Sequence, residues 1–422
     1  MFLKVEKSNL SGNINIPGSK SHTIRSLFLA GLAKGTSIIR NPLISSDAVS
    51  AADVCRAFGS TYDLDEESYT VNGIGACPQV PENVIDVGNS GTSLRLGLMT
   101  AALVEGHTVF TGDYQIRKRQ IGPLVKAINN LGGTAFTTRG NESAPVVIKG
   151  RATGGFTELD SVTSQYLSSI LLNAPLLEKD THVKIIRLNE IPYVEITLWW
   201  LDKLGIKYSH NSMKEFFVPG SQQYKPFDCT IPGDFSTATF FMVQAAISGN
   251  ELVLTNLDMS DPQGDKAVLG ILQDMGAEVQ YNEKSIKIKG KILKGREIDM
   301  NSIPDALPAM AVAACFAKGE TRLVNVPQAR LKETDRISVM CSELTKMGAD
   351  ITELPDGLII RESKLHGTAV KGHDDHRVVM SLAIAGLNCD GETIIDTAEA
   401  MNVTYPGFVE SVKSCGGKIQ LI

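Results

Sequence analysis

The sequence predicts an α/β protein of two similar domains, each built from three repeated α/β units packed around buried helices. Three observations carry this: a faint repeat of about 70 residues, six glycines that mark it, and six helix-length segments apolar on nearly every face.

The repeat marker is an apolar residue or cysteine followed by glycine, closing an amphipathic stretch and opening a strand. It occurs in "AFGSTYDL", "NLGGTAFT", "KLGIKYSH", "DMGAEVQY", "KMGADITE" and "SCGGKIQL", with Gly59, Gly132, Gly205, Gly276, Gly348 and Gly416 as the marker residues. A helix commonly ends in a left-handed residue, and glycine adopts that backbone without steric cost. Copies such as "AEVQYNEKSIKIKG" and "ADITELPDGLIIRE" continue into hairpin-like strand pairs.

The other half of each unit holds a buried helix: "SLFLAGLA", "LRLGLMTAALV", "YLSSILLNAPLL", "ATFFMVQAAI", "ALPAMAVAACFA" and "VVMSLAIAGL". A short strand follows each, from "TSIIRN" to "ETIIDT". A polar cluster precedes each: "GSKSHTIR", "GNSGTS", "VTSQ", "GDFST", "IPDA" and "HDDHR". A helix N-terminus leaves unpaired N–H groups and about half a positive charge, and Ser, Thr, Asp and Asn are its usual caps. "GDFST" by itself reads as such a cap. Six caps on six buried helices, with Lys20, Arg25, Arg95, Arg119 and Arg377 beside them, point instead to helix starts facing a shared cleft that attracts anions.

At 422 residues, two domains are the natural expectation. "VPGSQQYKPFDCTIPGD", residues 218–234, is the expected crossover, with three units before it and three after. Hydrophobic content of 43% with 21% charged residues describes a globular chain, and no apolar run is long enough for a membrane span. The opening "MFLKVEKSNLSGN" lacks the apolar stretch of a secretory signal. Seven dispersed cysteines without a CxxC pair read as reduced thiols of a cytoplasmic protein. A net charge of −6 excludes general attraction to nucleic acid, so any anion site is local.

"GSKS" lacks the glycines of a nucleotide P-loop, Ser19 and Ile14 standing in their places. Lys20 and Ser21 at a helix start, with Arg25 a turn later, can still bind phosphate. In "GNSGTSLR", residues 88–95, glycines admit close backbone approach, Thr92 and Ser93 can cap, and Arg95 can pair with an anion. "RLKETDR", residues 330–336, reads by itself as a solvated charged face. "HDDHR", residues 373–377, offers His373 and His376 without an obvious third metal ligand, so a cap with an anion-binding Arg377 is the better reading.

Together and in order, "PGSKS" with Arg25, "GNSGT" with Arg95, "SQY", "PDA", "KETDR" and "DHR" resemble the enolpyruvyl transferase family, in the branch acting on shikimate 3-phosphate. The resemblance spans the whole chain. It implies an inside-out α/β barrel in each domain, with residues 16–231 mainly binding shikimate 3-phosphate. Residues 1–15 and 232–422 would form the second domain, carrying the catalytic carboxylates and phosphoenolpyruvate-binding arginines. The implied reaction transfers an enolpyruvyl group from phosphoenolpyruvate to the 5-hydroxyl of shikimate 3-phosphate and releases phosphate. Lys20, Gln165 and the arginines Arg119, Arg336 and Arg377, with Gly91, are implied phosphoenolpyruvate ligands. Lys20, Ser21, Arg25, Thr163, Ser164, Gln165, Asp305, Gln328 and Lys332 are implied to hold shikimate 3-phosphate. Asp305 is the implied base and Glu333 the implied proton donor, with Lys20, Lys332 and His376 completing the catalytic set. No metal or organic cofactor is implied, and a cytoplasmic monomer is expected.

Four positions depart from the family pattern. Glu190 in "NEIPYVE" puts a carboxylate where the family has a serine phosphate ligand, and it is expected to face away. Gln120 replaces a proline after Arg119, and Gln328 replaces an asparagine. Val403 in "NVTYP" replaces a lysine, which predicts weaker phosphoenolpyruvate binding unless Lys118 or another group substitutes. A sister enzyme acting on UDP-N-acetylglucosamine would carry a reactive cysteine in "GDYQIRKRQIG" and Asn at Ser21; this chain has neither. A non-catalytic anion-binding protein is the remaining alternative, against which the intact set Lys20, Asp305, Glu333, Arg336 and Arg377 argues.

Overall fold

Each of the six apolar segments forms a helix, and each strand expected after it pairs in parallel with a leading strand of the same sheet. The architecture is that of a computed structural model describing residues 1–65 and 67–422. The described residues form six four-stranded sheets, three in each of two compact units, Lys20–Ile231 and Met1–Ser19 with Pro232–Ile422. The fold is the predicted two-domain α/β class of three repeats per domain.

Three repeats are contiguous and share one plan. In the repeat from Ile85–Asp86 to Val146–Lys149, a leading strand, the buried helix Gly91–Ala101 and the parallel strand His107–Thr111 come first. The outer helix Gly122–Asn130 and an antiparallel pair of strands complete it. The repeats starting at Gly155–Ser161 and Glu297–Asp299 have the same strand order. In two others the leading strands are exchanged. Gly12–Asn15 precedes helix Lys20–Leu32 in sequence but pairs with Glu251–Thr255, whereas Asp228–Thr230 precedes helix Phe235–Ser248 but pairs with Lys34–Arg40. In the last repeat the N-terminal strand Leu3–Glu6 lies between Glu392–Ile395 and Lys418–Leu421, antiparallel to both.

The exchange corrects the expected domain boundary by a few residues. Residues 16–19 belong with Pro232–Ile422: Gly18 bridges Gly233, the Ser19 amide donates to the Pro232 carbonyl at 2.8 Å, and Asn256 donates to the Ile16 carbonyl at 2.8 Å.

Helix character follows the apolar pattern. Helix His376–Leu387 is buried along its whole length, as is Leu307–Cys315. The outer helix Gly122–Asn130 buries only Leu124, Ala127 and Ile128, one face at helical spacing. The marker glycines that end the outer helices all have positive φ, from 69° at Gly205 to 122° at Gly276, as a left-handed helix end requires. Each unit has its own hydrophobic core. Among the described residues no helix is long and apolar enough to cross a membrane.

Candidate active site

Lys20 opens the first buried helix, and its Nζ lies 3.1 Å from the buried carboxylate of Asp47. Ser21 is half-buried beside it. One turn on, Arg25 is buried and donates to Thr197 Oγ1 at 2.8 Å and Ser168 Oγ at 3.3 Å, and to the carbonyls of Ser21 and Tyr193, each at 3.0 Å. All four acceptors are neutral. Burial lowers the guanidinium pKa to about 10, so it stays charged at neutral pH, with no carboxylate at ion-pair distance among the described residues. A buried, uncompensated cation is costly, and an anion arriving beside it relieves that cost.

A second cationic group gathers at helix Gly91–Ala101. The cap is Ser90, whose Oγ accepts from the Ser93 amide at 3.3 Å, rather than Thr92 or Ser93. Thr92 Oγ1 instead accepts from Gln165 Nε2 at 3.0 Å, and Gln165 Oε1 accepts from Arg95 Nη1 at 2.6 Å. Arg119 reaches Asn89 Oδ1 at 3.5 Å. A Cβ at Gly91 would stand 2.6 Å from Arg119 Nη1 and 2.9 Å from Arg95 Nη1, so only glycine lets both guanidiniums close on this helix start. Burial lowers the pKa of Arg95, and the charge of Arg119 pushes the same way. Two converging cations at a helix N-terminus make an anion cradle.

The third helix start corrects two expectations. Thr163 precedes Ser164–Asn173 but makes no side-chain cap to it. Glu190 does not face away. Its Oε2 accepts from Thr163 Oγ1 at 3.1 Å, the Ser164 amide at 3.1 Å and Ser164 Oγ at 2.9 Å, and the residue is 2% exposed. Of the six expected caps, Ser90, Asp234 and Asp375 act as such. Leu307–Cys315 is instead entered through the 3-10 turn Pro304–Ala306.

In the other unit the charges interlock. Asp305, in that turn, has Oδ1 2.9 Å from Arg336 Nη1 and 3.4 Å from Lys332 Nζ, and Oδ2 3.1 Å from Arg377 Nη2. Burial acts to raise its pKa, but Arg377, Lys332 and Arg336 outweigh it and hold the carboxyl well below the ordinary range. Arg336 also donates to Glu333 Oε2 at 2.6 Å and, with Nε and Nη2, to both oxygens of Asp375 at 2.8 and 3.2 Å. Burial disfavours the charged guanidinium, yet Asp375, Glu333 and Asp305 raise its pKa above the usual value. The solvated-face reading of "RLKETDR" is thereby corrected, since the Arg336 side chain is 1% exposed.

His376 is buried next to Asp375, whereas His373 Nε2 lies 3.0 Å from Glu343 Oε1. Gln328 is buried and donates to the Asn301 carbonyl at 3.1 Å. Lys118 lies over the ring of Tyr114 at 5.4 Å, and Val403 ends the 3-10 turn Ala398–Val403. Sequence reasoning missed Asp47 as the partner of Lys20 and Asp375 as the partner of Arg336. Both sit at helix starts, where an aspartate reads as a cap. Among the described residues no His, Cys, Asp and Glu cluster is arranged for a metal ion.

Two three-repeat units whose helix starts collect guanidinium, ammonium and carboxylate groups define a class of α/β proteins suited to small polyanions. The sequence profile of EPSP synthase (3-phosphoshikimate 1-carboxyvinyltransferase) matches residues 5–412. The chain is 88% identical over 422 residues to the 3-phosphoshikimate 1-carboxyvinyltransferase of Ruminiclostridium cellulolyticum, covering 100% of both. It is 67% identical over 419 residues to that of Acetivibrio thermocellus, covering 99% of both. The EPSP synthase structure from Acinetobacter baumannii superposes with a TM-score of 0.85 at 29% identity, over 99% of each chain. The chain belongs to the EPSP synthase family.

Proposed function

We propose that this protein transfers the enolpyruvyl group of phosphoenolpyruvate to the 5-hydroxyl of shikimate 3-phosphate, serving chorismate and aromatic amino acid synthesis. One observation carries the reading: Arg25 and Arg95 are buried cations at helix starts whose hydrogen-bond partners are all neutral. Such groups suit polyanionic substrates.

In this reading the unit Lys20–Ile231 mainly holds shikimate 3-phosphate, through Lys20, Ser21, Arg25, Thr163, Ser164 and Gln165. Asp305, Gln328 and Lys332 are further ligands of the same substrate. Phosphoenolpyruvate is read by Lys20, Gly91, Arg119 and Gln165, and by Arg336 and Arg377. Asp305 takes the 5-hydroxyl proton as the oxygen attacks C2 of phosphoenolpyruvate. Glu333 gives a proton to the methylene carbon, producing a tetrahedral intermediate. Collapse expels phosphate, and the new methyl group returns one proton to restore the enol ether. Lys332 stabilises charge beside Asp305, and His376 supports the network.

The depressed pKa of Asp305 is compatible with a base because two of the three cations that depress it, Arg377 and Arg336, are proposed phosphoenolpyruvate ligands. An anion arriving at Arg336 and Arg377 competes with Asp305 for both guanidiniums, and its carboxylate becomes more basic as they turn away. Val403 removes one cation from this pocket, so phosphoenolpyruvate binds more weakly than it would to Val403→Lys. The protein acts as a cytoplasmic monomer without nucleic-acid or membrane partners, which sedimentation would check.

The deciding experiment is phosphate release with both substrates. Turnover dependent on each supports the reading; binding of shikimate 3-phosphate without turnover would favour an anion-binding protein instead.

A further inference from the structure

We infer that Glu190 is an internal anion that occupies the phosphate cradle at helix Ser164–Asn173, and that the substrate's phosphate must displace it. This rests on the reading above, in which Thr163 and Ser164 hold shikimate 3-phosphate.

Three donors converge on one oxygen of Glu190: the hydroxyls of Thr163 and Ser164 and the Ser164 amide, at 2.9 to 3.1 Å. A helix N-terminal amide with two flanking hydroxyls is a set of donors suited to a phosphate oxygen. Thr163 leaves the helix without a cap of its own, so the carboxylate comes from a residue 26 positions away in sequence. Glu190 reaches there from a left-handed backbone, φ 59° and ψ 42°, which a residue with a long side chain seldom adopts. It is 2% exposed, so this contact is made out of water.

The surroundings suit a larger anion than one carboxylate. Arg25 lies one turn along the same helices, donating to Ser168 and to the Tyr193 carbonyl, and meets no carboxylate among the described residues. A phosphate monoester carries more charge and more acceptor oxygens than a carboxylate, so it can draw on Arg25 as well as on the three donors. The two anions compete for one set of donors and repel each other if held together. The cradle therefore admits the substrate's phosphate by exchange and resists anions that bring less binding energy, including the inorganic phosphate released by the reaction. Glu190 is a specificity-determining residue.

The test uses the full chain with Glu190→Ser, which empties the cradle, and Glu190→Gln, which keeps the size and loses the charge. Calorimetric titrations would use shikimate 3-phosphate, shikimate and inorganic phosphate, alongside steady-state kinetics. Affinity for shikimate 3-phosphate is expected to rise about tenfold in Glu190→Ser and less in Glu190→Gln, with KM falling far more than kcat changes. Shikimate, which has no phosphate to compete, should respond by less than about twofold, and inhibition by inorganic phosphate should strengthen. Unchanged or weakened shikimate 3-phosphate binding in a folded variant, or an equal change for shikimate, would reduce Glu190 to a structural cap. If Glu190→Ser does not fold, Glu190→Gln decides. Wild-type protein that neither binds nor turns over shikimate 3-phosphate would overturn the functional reading itself; turnover with unaltered selectivity in both variants overturns only the role of Glu190.

Discussion

Arg377 holds Asp305 at two points: Nη2 lies 3.1 Å from carboxylate Oδ2, and Nη1 donates to the backbone carbonyl at 3.4 Å. The residue proposed to remove a proton is thus gripped by a residue proposed to bind the second substrate. Burial opposes ionisation of Asp305, and Arg377 heads the charges that overcome it. Removing that charge raises the carboxyl pKa, because the ionised form loses an attractive partner while burial stays. The acid limb of kcat/KM should therefore move to higher pH in Arg377→Gln, along with a loss of activity of about a hundredfold. A pH–rate profile checks this; an acid limb that stays in place would disconnect Arg377 from the base.

Stability follows the same charges. The folded pKa of Asp305 lies below its ordinary value of 3.8, so its contribution is complete above that pH and is lost as pH falls through the lower folded value. Asp305→Asn should be less stable than the parent at neutral pH by about 1–3 kcal/mol. The gap should narrow only in strong acid. Urea unfolding at neutral and acid pH would measure both.

Gly91 separates binding from stability. An alanine Cβ would meet the ends of the Arg119 and Arg95 side chains, not backbone, so the guanidiniums can shift and the fold survives. Gly91→Ala should raise KM for phosphoenolpyruvate about tenfold, leave KM for shikimate 3-phosphate within about twofold, and lower stability by less than about 1 kcal/mol. A fall in melting temperature with an unchanged KM would remove Gly91 from the anion site.

Arg25 should make the protein sensitive to its substrate. Its charge is buried among neutral acceptors, so bound shikimate 3-phosphate supplies the missing counter-charge. At a hundredfold excess over Kd the ligand should stabilise the fold by about 2.7 kcal/mol, read as a rise in melting temperature. Arg25→Gln should keep much of the fold and lose most of that rise. A full shift in the variant would put the phosphate elsewhere.

Local features of the fold were legible because they are written in local chemistry. Gly205 and Gly276 end outer helices with positive φ, and the buried faces of His376–Leu387 and Leu307–Cys315 follow from unbroken apolar runs. Exchange of the strands Gly12–Asn15 and Asp228–Thr230 was not legible, since each is only four or three residues long and its partner is chosen by packing of the whole unit. The same holds for polar partners. Arg336 and Asp375 are 39 residues apart, and Glu190 reaches a helix start 26 residues away. Short sequence separation puts Glu333 within reach of Arg336 three residues on, but gives no sign of Asp375. Family resemblance named Arg336 as a site residue, while its burial came only from tertiary structure.

That burial makes Arg336 the residue whose loss should be felt most. Its guanidinium spans Asp375 with two donors and reaches Asp305 and Glu333 with the others, all at 3.2 Å or less. Taking it away strands Asp375, which is 0% exposed, as a buried carboxylate whose main counter-charge is gone. Arg336→Ala should cost about 3–5 kcal/mol, measured by urea unfolding at neutral pH. Lysine is a poor substitute, because one ammonium cannot form the planar fork across Asp375 while also reaching Asp305, so Arg336→Lys should recover only part of the loss. Asp375→Asn separates the two contributions. It neutralises the stranded carboxylate, so the double variant Arg336→Ala with Asp375→Asn should be more stable than Arg336→Ala alone, yet still bind phosphoenolpyruvate poorly. Additive losses in that cycle would mean the two residues act independently, and the guanidinium would then need another explanation for its burial.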